Sequence, residues 1–259
     1  MELLKEWQGI WKSLRVYRMD SGHAIALDNL YRNFVGHDEL AFDIGAHVGD
    51  RTASFRRLGA RVVALEPQKT CARVLKLLHG FDFGVTIVES AVSDREGKLN
   101  FAVNSANPTV STVSREFVEA ANAGAKGWEG QVWDKVIEVP ATTLDHLIAI
   151  HGEPAFIKID VEGAEEQVLR GLSRPVAALS FEFTTIQRAV AYACLARCVE
   201  LGYRRFNVSL GESQRMTFTA PIDVQAMCQH IADLPHEANS GDIYALADNW
   251  KAGRSNAMF

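Results

Sequence analysis

LAFDIGAHVGDRTASFRRLGARVVALEP, residues 40–67, decides the fold. Leu40 to Ile44 is a short apolar run holding one acid, the pattern of a strand buried on both faces. Gly45 and Gly49 then let the chain turn sharply, and a helix is expected from about Asp50 to Leu58. Arg61-Val-Val-Ala-Leu65 is a second buried strand. Strand, helix and strand in so short a stretch make a βαβ unit, whose two strands run parallel.

The same alternation continues outward from this stretch. A helix through Val74, Leu75 and Leu78 stops at Gly80, and Val85-Thr-Ile-Val88 is a third strand. Ala155 to Asp160 is a strand followed by helix from Ala164 to Leu172. Val176 to Phe183 is a strand and Ile186 to Leu201 a helix. The expected class is therefore α/β, a mostly parallel sheet with helices on both faces.

Three regions break the alternation. Residues 1–36 read as an N-terminal helical extension, with Trp7, Ile10, Trp11 and Leu14 on one stripe and Leu27, Leu30, Tyr31 and Phe34 on another. This extension is expected to pack over one sheet edge or to cap a pocket, ahead of a single domain over 37–259. Gly97 to Val103 alternates like an antiparallel strand. Residues 104–131, rich in Asn, Ser, Ala and Gly, read as a mobile loop with one short helix around Val113 to Ala121, placed as a lid or substrate loop.

Composition agrees with one globular domain. The 259 residues are 47% hydrophobic and 23% charged, with a formal net charge of −5, which excludes disorder and argues against binding nucleic acid by bulk charge. No apolar run approaches the ~20 residues that span a bilayer, and the N-terminus lacks an uninterrupted apolar signal core. Cysteines 71, 194, 198 and 228 have no zinc spacing, so they read as buried small residues of a reducing, cytoplasmic protein, with a metal or redox pair at Cys194 and Cys198 as the alternative.

The chemistry begins at Asp43-Ile-Gly45-Ala-His47-Val-Gly49, between a strand and a helix N-terminus whose amides can face a ligand. The spacing is GxxxG rather than the GxGxxG of a dinucleotide site. Glu66 ends the second strand, where a carboxylate can accept both hydroxyls of a ribose. Asp43 adds a carboxylate that suits an ammonium and would repel a diphosphate. Together these point to S-adenosylmethionine, which carries a ribose, an amino-acid head and a sulfonium. A tight strand-to-helix turn and a solvated strand-end acid are the plainer readings of the same residues.

The most specific string is Ile157-Lys158-Ile159-Asp160-Val161-Glu162-Gly163-Ala164-Glu165. In an extended strand Lys158 and Asp160 share one face, opposite Ile157, Ile159 and Val161. Charges are rare inside parallel strands except near the carboxyl ends, where ligands bind in open α/β sheets. Asp160 is thus a candidate functional acid. Glu162 is read either in the same way or as a first-turn helix residue favoured by the dipole.

With DIGAHVG at 43–49, ALEP at 64–67, ESAVSD at 89–94, TLDHL at 143–147, IKIDVEGAEEQVLRGL at 157–172, Glu182 and GDIYAL at 241–246, the chain resembles the FkbM-type family of S-adenosylmethionine-dependent methyltransferases. The resemblance covers roughly residues 37 to 248. It implies a Rossmann-like class I methyltransferase fold, a seven-stranded sheet with its last strand antiparallel. It also implies methyl transfer, usually to a hydroxyl of a sugar, glycolipid or polyketide-type natural product. The cofactor-binding residues it implies are Asp43, Gly45, Ala46, His47, Gly49, Glu66, Pro67, Ser90, Ala91 and Asp160. Where related folds often carry an acid against the adenine amine, this chain has Ser90, and where the family loop often has Asn it has His47. His47 is read as a cap residue or a proton carrier titrating near neutral pH.

An alcohol must lose its proton as it attacks a methyl group, so a base is needed. Asp160 is the first candidate, Glu182 the second and His47 the third. A divalent ion on Asp160 and Glu182 would suit the oxygen preference of hard cations, although no complete ligand set is visible and no metal is assigned. The rival readings are an N-methyltransferase, a non-catalytic S-adenosylmethionine-binding module and a nicotinamide oxidoreductase. Trp11, Trp128 and Trp133 are candidate stacking platforms for an acceptor, buried packing being the commoner fate of such rings. The expected partner is a small hydroxylated molecule, with no nucleic acid and no membrane span.

Overall fold

The computed structural model of the chain describes residues 7–11, 14, 20–124 and 126–250. Its main sheet has seven strands, here β1 (Leu40–Ile44), β2 (Arg61–Leu65), β3 (Val85–Val88), β7 (Phe156–Ile159), β8 (Ala178–Thr184), β9 (Arg205–Leu210) and β10 (Ser240–Leu246). The order is β3-β2-β1-β7-β8-β10-β9, and β10 alone runs antiparallel to its neighbours. The mostly parallel α/β sheet is the one that the alternation predicts, and the seven strands with an antiparallel last strand are those that the family resemblance implies. A smaller sheet joins β4 (Ala91–Val92), β6 (Lys135–Thr142) and β5 (Gly97–Val103), with β5 antiparallel to β6 as its alternating pattern requires.

Alternation along each strand decides which layer each residue enters. On one face Ile157, Ile159, Leu179, Phe181 and Ile243 pack against α5 (Leu144–His151), α6 (Glu165–Arg170), α7 (Arg188–Leu201) and α8 (Val224–Asp233) through Leu147, Leu169, Cys194, Leu195 and Ile231. On the other, Ala41, Val62, Phe156 and Tyr244 meet α1 (Ser21–Tyr31), α2 (Asp50–Arg57) and α3 (Lys69–His79) through Leu27, Tyr31, Phe55 and Leu75. Cys194 and Cys198 are free thiols buried in the first layer, one turn apart on α7.

Two expectations about the periphery change. Leu27, Leu30, Tyr31 and Phe34 lie beneath the middle of the sheet, with Phe34 stacked on Phe156 and Tyr244 at 4.8 and 5.1 Å, rather than along an edge. Of the first stripe only Ile10 is buried, against Val48, Cys71 and Val74; Trp7 and Trp11 are exposed, at 48% and 70%. The buried side of this segment is centred on Gly9 and Ile10, Gly9 lying against Pro108 and Ala106.

The stretch after β5 is also better anchored than its small-residue composition suggests. Helix α4 (Arg115–Asn122) is capped by Ser114 Oγ, which accepts the Phe117 amide at 3.0 Å. Phe117, Trp128 and Val110 are buried together, Trp133 Nε1 donates to Val110 O at 2.9 Å, and Asn104 Nδ2 donates to Gln131 Oε1 at 2.9 Å. Both tryptophans are therefore packing groups. No helix among the described residues is long and apolar enough to cross a membrane.

Candidate active site

Strand order reverses between β1 and β7, and the carboxyl ends of β1, β7 and β8 open onto one crevice there, the position where open α/β sheets bind ligands. Asp43 of β1 pairs in register with Lys158 of β7, and Glu182 follows two residues after Ser180, the β8 partner of Lys158, so charged residues of three strands line the crevice. The crevice has two adjoining halves that share Gly45, His47, Thr109, Asp160 and Glu162. One is polar and adds Asp43, Arg51, Lys158, Glu182 and Glu212. The other is largely apolar and adds Glu66, Pro67, Ser90, Ala91, Phe101 and Val113.

The glycine loop and the end of β7 form one packed unit. Gly45 has φ +83°, and a Cβ placed on it would stand 1.8 Å from the Asp160 carbonyl oxygen. The Asp160 amide in turn donates to Ile44 O at 2.9 Å. Gly49, at φ +81°, is the N-cap of α2 and no side chain caps that helix. His47 is therefore not the cap. It takes a left-handed conformation, φ 47°, and presents its amide to Glu66 Oε2 at 2.9 Å.

Glu66 is buried and accepts a second amide, that of Gln68, on Oε1 at 2.7 Å. Burial pushes its carboxyl up to about 7, against the two amides that favour the charged form. Each oxygen keeps a lone pair free for a further donor. The His47 Nε2 atom is buried with no hydrogen-bond partner, and burial pushes the imidazole down to about 4. The expectation of titration near neutral pH is overturned: desolvation disfavours the cation more than Asp160 and Asp50 favour it.

In the polar half, Asp43 Oδ2 accepts Thr52 Oγ1 at 2.6 Å, and burial lifts its carboxyl to about 6. Lys158, fully buried in β7, lies 2.9 Å from both Asp160 Oδ2 and Asp242 Oδ1. Burial opposes its charge, but these two carboxylates outweigh it and hold the ammonium well above the usual lysine range. Burial likewise works against Asp160, and Lys158 with Arg51 nonetheless holds it below the usual carboxylate range. Glu162 and Glu182 are pushed well above theirs, first by burial and then by the charge of Asp160.

Several placements revise the sequence reading. Glu162 is not a helical residue: it sits at φ 58° in the turn after β7, and α6 begins at Glu165. Glu165 is a residue that sequence reasoning missed. Its carboxylate accepts the amides of Val161 and Gly163 at 3.1 and 3.0 Å and so holds that turn in shape. The Ser90 hydroxyl faces the main chain, within 2.9 Å of Ala91 O and 3.0 Å of Pro140 O, so only its flank borders the apolar half. Asp242, Arg51, Thr109 and Glu212 were also missed. Asp242 stands in the GDIYAL string and pairs in register with Glu182, a cross-strand pairing that leaves no local signal in the sequence.

The crevice fits S-adenosylmethionine on its own chemistry. The backbone-lined cradle at Gly45 admits no side chain, the apolar half carries the buried acid Glu66, able to receive a ribose, and the polar half offers acids and bases to an amino-acid head. It offers no glycine-rich diphosphate cradle.

A family model described as the methyltransferase FkbM domain matches residues 43–204, more than half of the chain. No curated protein sequence matches. Among solved structures, the chain is similar to a precorrin-6y C5,15-methyltransferase from Geobacter metallireducens at 13% identity, covering 87% of this chain and 86% of that one with a TM-score of 0.45. It is similar to a TehB-like SAM-dependent methyltransferase from Corynebacterium glutamicum at 9% identity, over 92% and 94% of the two chains with a TM-score of 0.45. A SAM-dependent O-methyltransferase from Thermotoga maritima aligns at 12% identity, over 88% and 66%, with a TM-score of 0.42.

Proposed function

The chain belongs to the FkbM methyltransferase family, and from that premise we propose that it methylates a hydroxyl oxygen of a sugar, glycolipid or polyketide-type acceptor. Methyl transfer dependent on S-adenosylmethionine is the family's chemistry; the oxygen acceptor is the added step. The observation that supports it is the group of carboxylates lining the polar half, Asp160 and Glu182 foremost.

When bound, S-adenosylmethionine supplies an electrophilic methyl carbon on a sulfonium. In this reading Glu66 receives the ribose hydroxyls while the main chain from Gly45 to His47 lines the methionyl part. Pro67, Ala91 and the flank of Ser90 border the adenine. Asp43, Arg51 and Lys158 face the amino-acid head. Holding acceptor and methyl carbon in line can lower the barrier by ~7–11 kcal/mol in favourable cases. The acceptor's proton then needs a carboxylate. Asp160, kept ionised by Lys158, is the weaker base; Glu182, with its raised affinity for protons, is better matched to an alcohol. His47 stays neutral at physiological pH and serves as a wall of the crevice with a vacant nitrogen.

A second reading has support from the same polar half. Its acids Asp43, Asp50, Asp160, Glu162, Glu182 and Glu212 outnumber Arg51 and Lys158, which would suit an amine acceptor. The test begins with calorimetric titration of S-adenosylmethionine and S-adenosylhomocysteine. It continues with transfer of labelled methyl to a panel of hydroxylated sugars, polyketide alcohols and amines. Label on oxygen supports the proposal and label on nitrogen selects the second reading. A folded protein that binds neither cofactor form refutes both.

A further inference from the structure

One oxygen from each of Asp160, Glu162 and Glu182 lies within 4.8 Å of the other two. Oxygens bound to one calcium at about 2.3–2.6 Å can stand at most about 5 Å apart, and around magnesium, at about 2.0–2.1 Å, at most about 4 Å. Three oxygens with that separation have a common centre at most about 2.8 Å from each, so small side-chain adjustments close the trio on a hard cation.

Nearby cations are spent elsewhere. Lys158 is divided between Asp160 and Asp242, and Arg51 between Asp50 at 2.5 Å and Glu212 at 3.4 Å. Glu162 is the telling residue. It is 7% exposed and borders both halves of the crevice, yet among the described residues its hydrogen bond is made through the main chain, Thr112 Oγ1 donating to its carbonyl at 2.7 Å. No donor meets its carboxylate. A buried charge left in that state is relieved by a proton or by a cation.

We propose that Asp160, Glu162 and Glu182 bind a hard divalent cation, Mg²⁺ or Mn²⁺, where the two halves of the crevice meet. Each carboxylate lends one oxygen, and water completes the sphere. On the methyltransferase reading, on which this consequence alone rests, the ion would polarise the acceptor hydroxyl. The proton would pass to a carboxylate oxygen not spent on the metal, as the oxygen–carbon bond forms and the carbon–sulfur bond breaks.

The test is titration of the chelator-treated full chain with Mn²⁺ by calorimetry, alongside its melting temperature with and without the ion. Wild-type protein is expected to bind saturably and to melt higher with Mn²⁺, with Mg²⁺ competing. Glu162→Gln should weaken binding about tenfold or more and lose the thermal shift. Because it removes an unpaired buried charge, it should melt no lower than wild type when metal is absent, so misfolding is separately visible. Glu138→Gln, on the small sheet, should change neither reading. Absence of saturable binding, or wild-type affinity in both Glu162→Gln and Glu182→Gln, overturns the proposal. Repeating the titration in the presence of S-adenosylhomocysteine separates this failure from failure of cofactor binding.

Discussion

Replacing Glu66 separates the two tasks that its carboxylate performs. Its oxygens already hold the amides of His47 and Gln68, at 2.9 and 2.7 Å, so it shapes the crevice before any ligand arrives. Glu66→Gln preserves the side-chain volume but leaves one acceptor oxygen for two amides. A buried donor left unsatisfied costs about 1–3 kcal/mol, and the unfolding free energy read from urea melts should fall by that amount. The lost charge-assisted bond to a ribose hydroxyl adds about 1.5–3 kcal/mol on the ligand side, a roughly ten- to hundredfold weaker affinity for S-adenosylhomocysteine. The carboxyl ionises at about 7 in the folded protein, so wild-type affinity should climb as pH rises through that value, and affinity of the variant should not. Stability moves the other way. The folded pKa of about 7 exceeds the ordinary value of 4.5, so the contribution of Glu66 is complete below 4.5 and is lost as pH rises through 7. Calorimetry across pH, paired with urea melts, reads both effects. A folded Glu66→Gln protein that binds as tightly as wild type at every pH would refute the ribose assignment.

Other perturbations test other parts of the crevice. Gly45→Ala, whose Cβ would lie 1.8 Å from Asp160 O at a φ of +83°, should cost more than about 2 kcal/mol in urea unfolding; an unchanged midpoint would show that the loop and β7 are not locked together. Asp160→Asn should keep S-adenosylhomocysteine affinity within a few-fold while methyl transfer falls by ~10²-fold or more, and near-normal turnover would remove Asp160 from the reaction. His47, neutral in the fold with a pKa of about 4 against 6.5, should make wild type lose stability progressively as pH falls from 6.5 towards 4. The difference in melting temperature between wild type and His47→Asn should shrink over that interval, and a constant difference would contradict the burial of that ring.

Legibility in the sequence followed the range of the interactions involved. Buried parallel strands are written as short apolar runs, and so β1, β2, β3, β7 and β8 could be read directly. Gly45 and Glu66 were legible because their partners, a turn and the next strand, lie close in the chain. Asp242 was not: it meets Lys158 only because β10 inserts between β8 and β9, a pairing that no local pattern encodes. Glu162 was ambiguous because a strand end and a helix start share the same few residues, and only the turn held by Glu165 decides where it points. The Trp7 and Trp11 stripe failed because periodicity tells which residues align and not how much surface the neighbouring helix will cover.

The insertion of β10 also bears on how this protein is made. Asp242 supplies half of the compensation for the ammonium of Lys158, and it lies 84 positions later in the chain. During synthesis the βαβ units that line the crevice are complete long before that residue leaves the ribosome. Until then, Lys158 must sit in an open sheet with Asp160 as its nearest counter-charge, and β8 exposes the edge that β10 will occupy. A nascent chain can thus acquire the outline of the crevice early, but it balances the charge there only when the last strand docks. Chains stopped short of Ser240 retain that exposed edge and are the ones that quality control should remove.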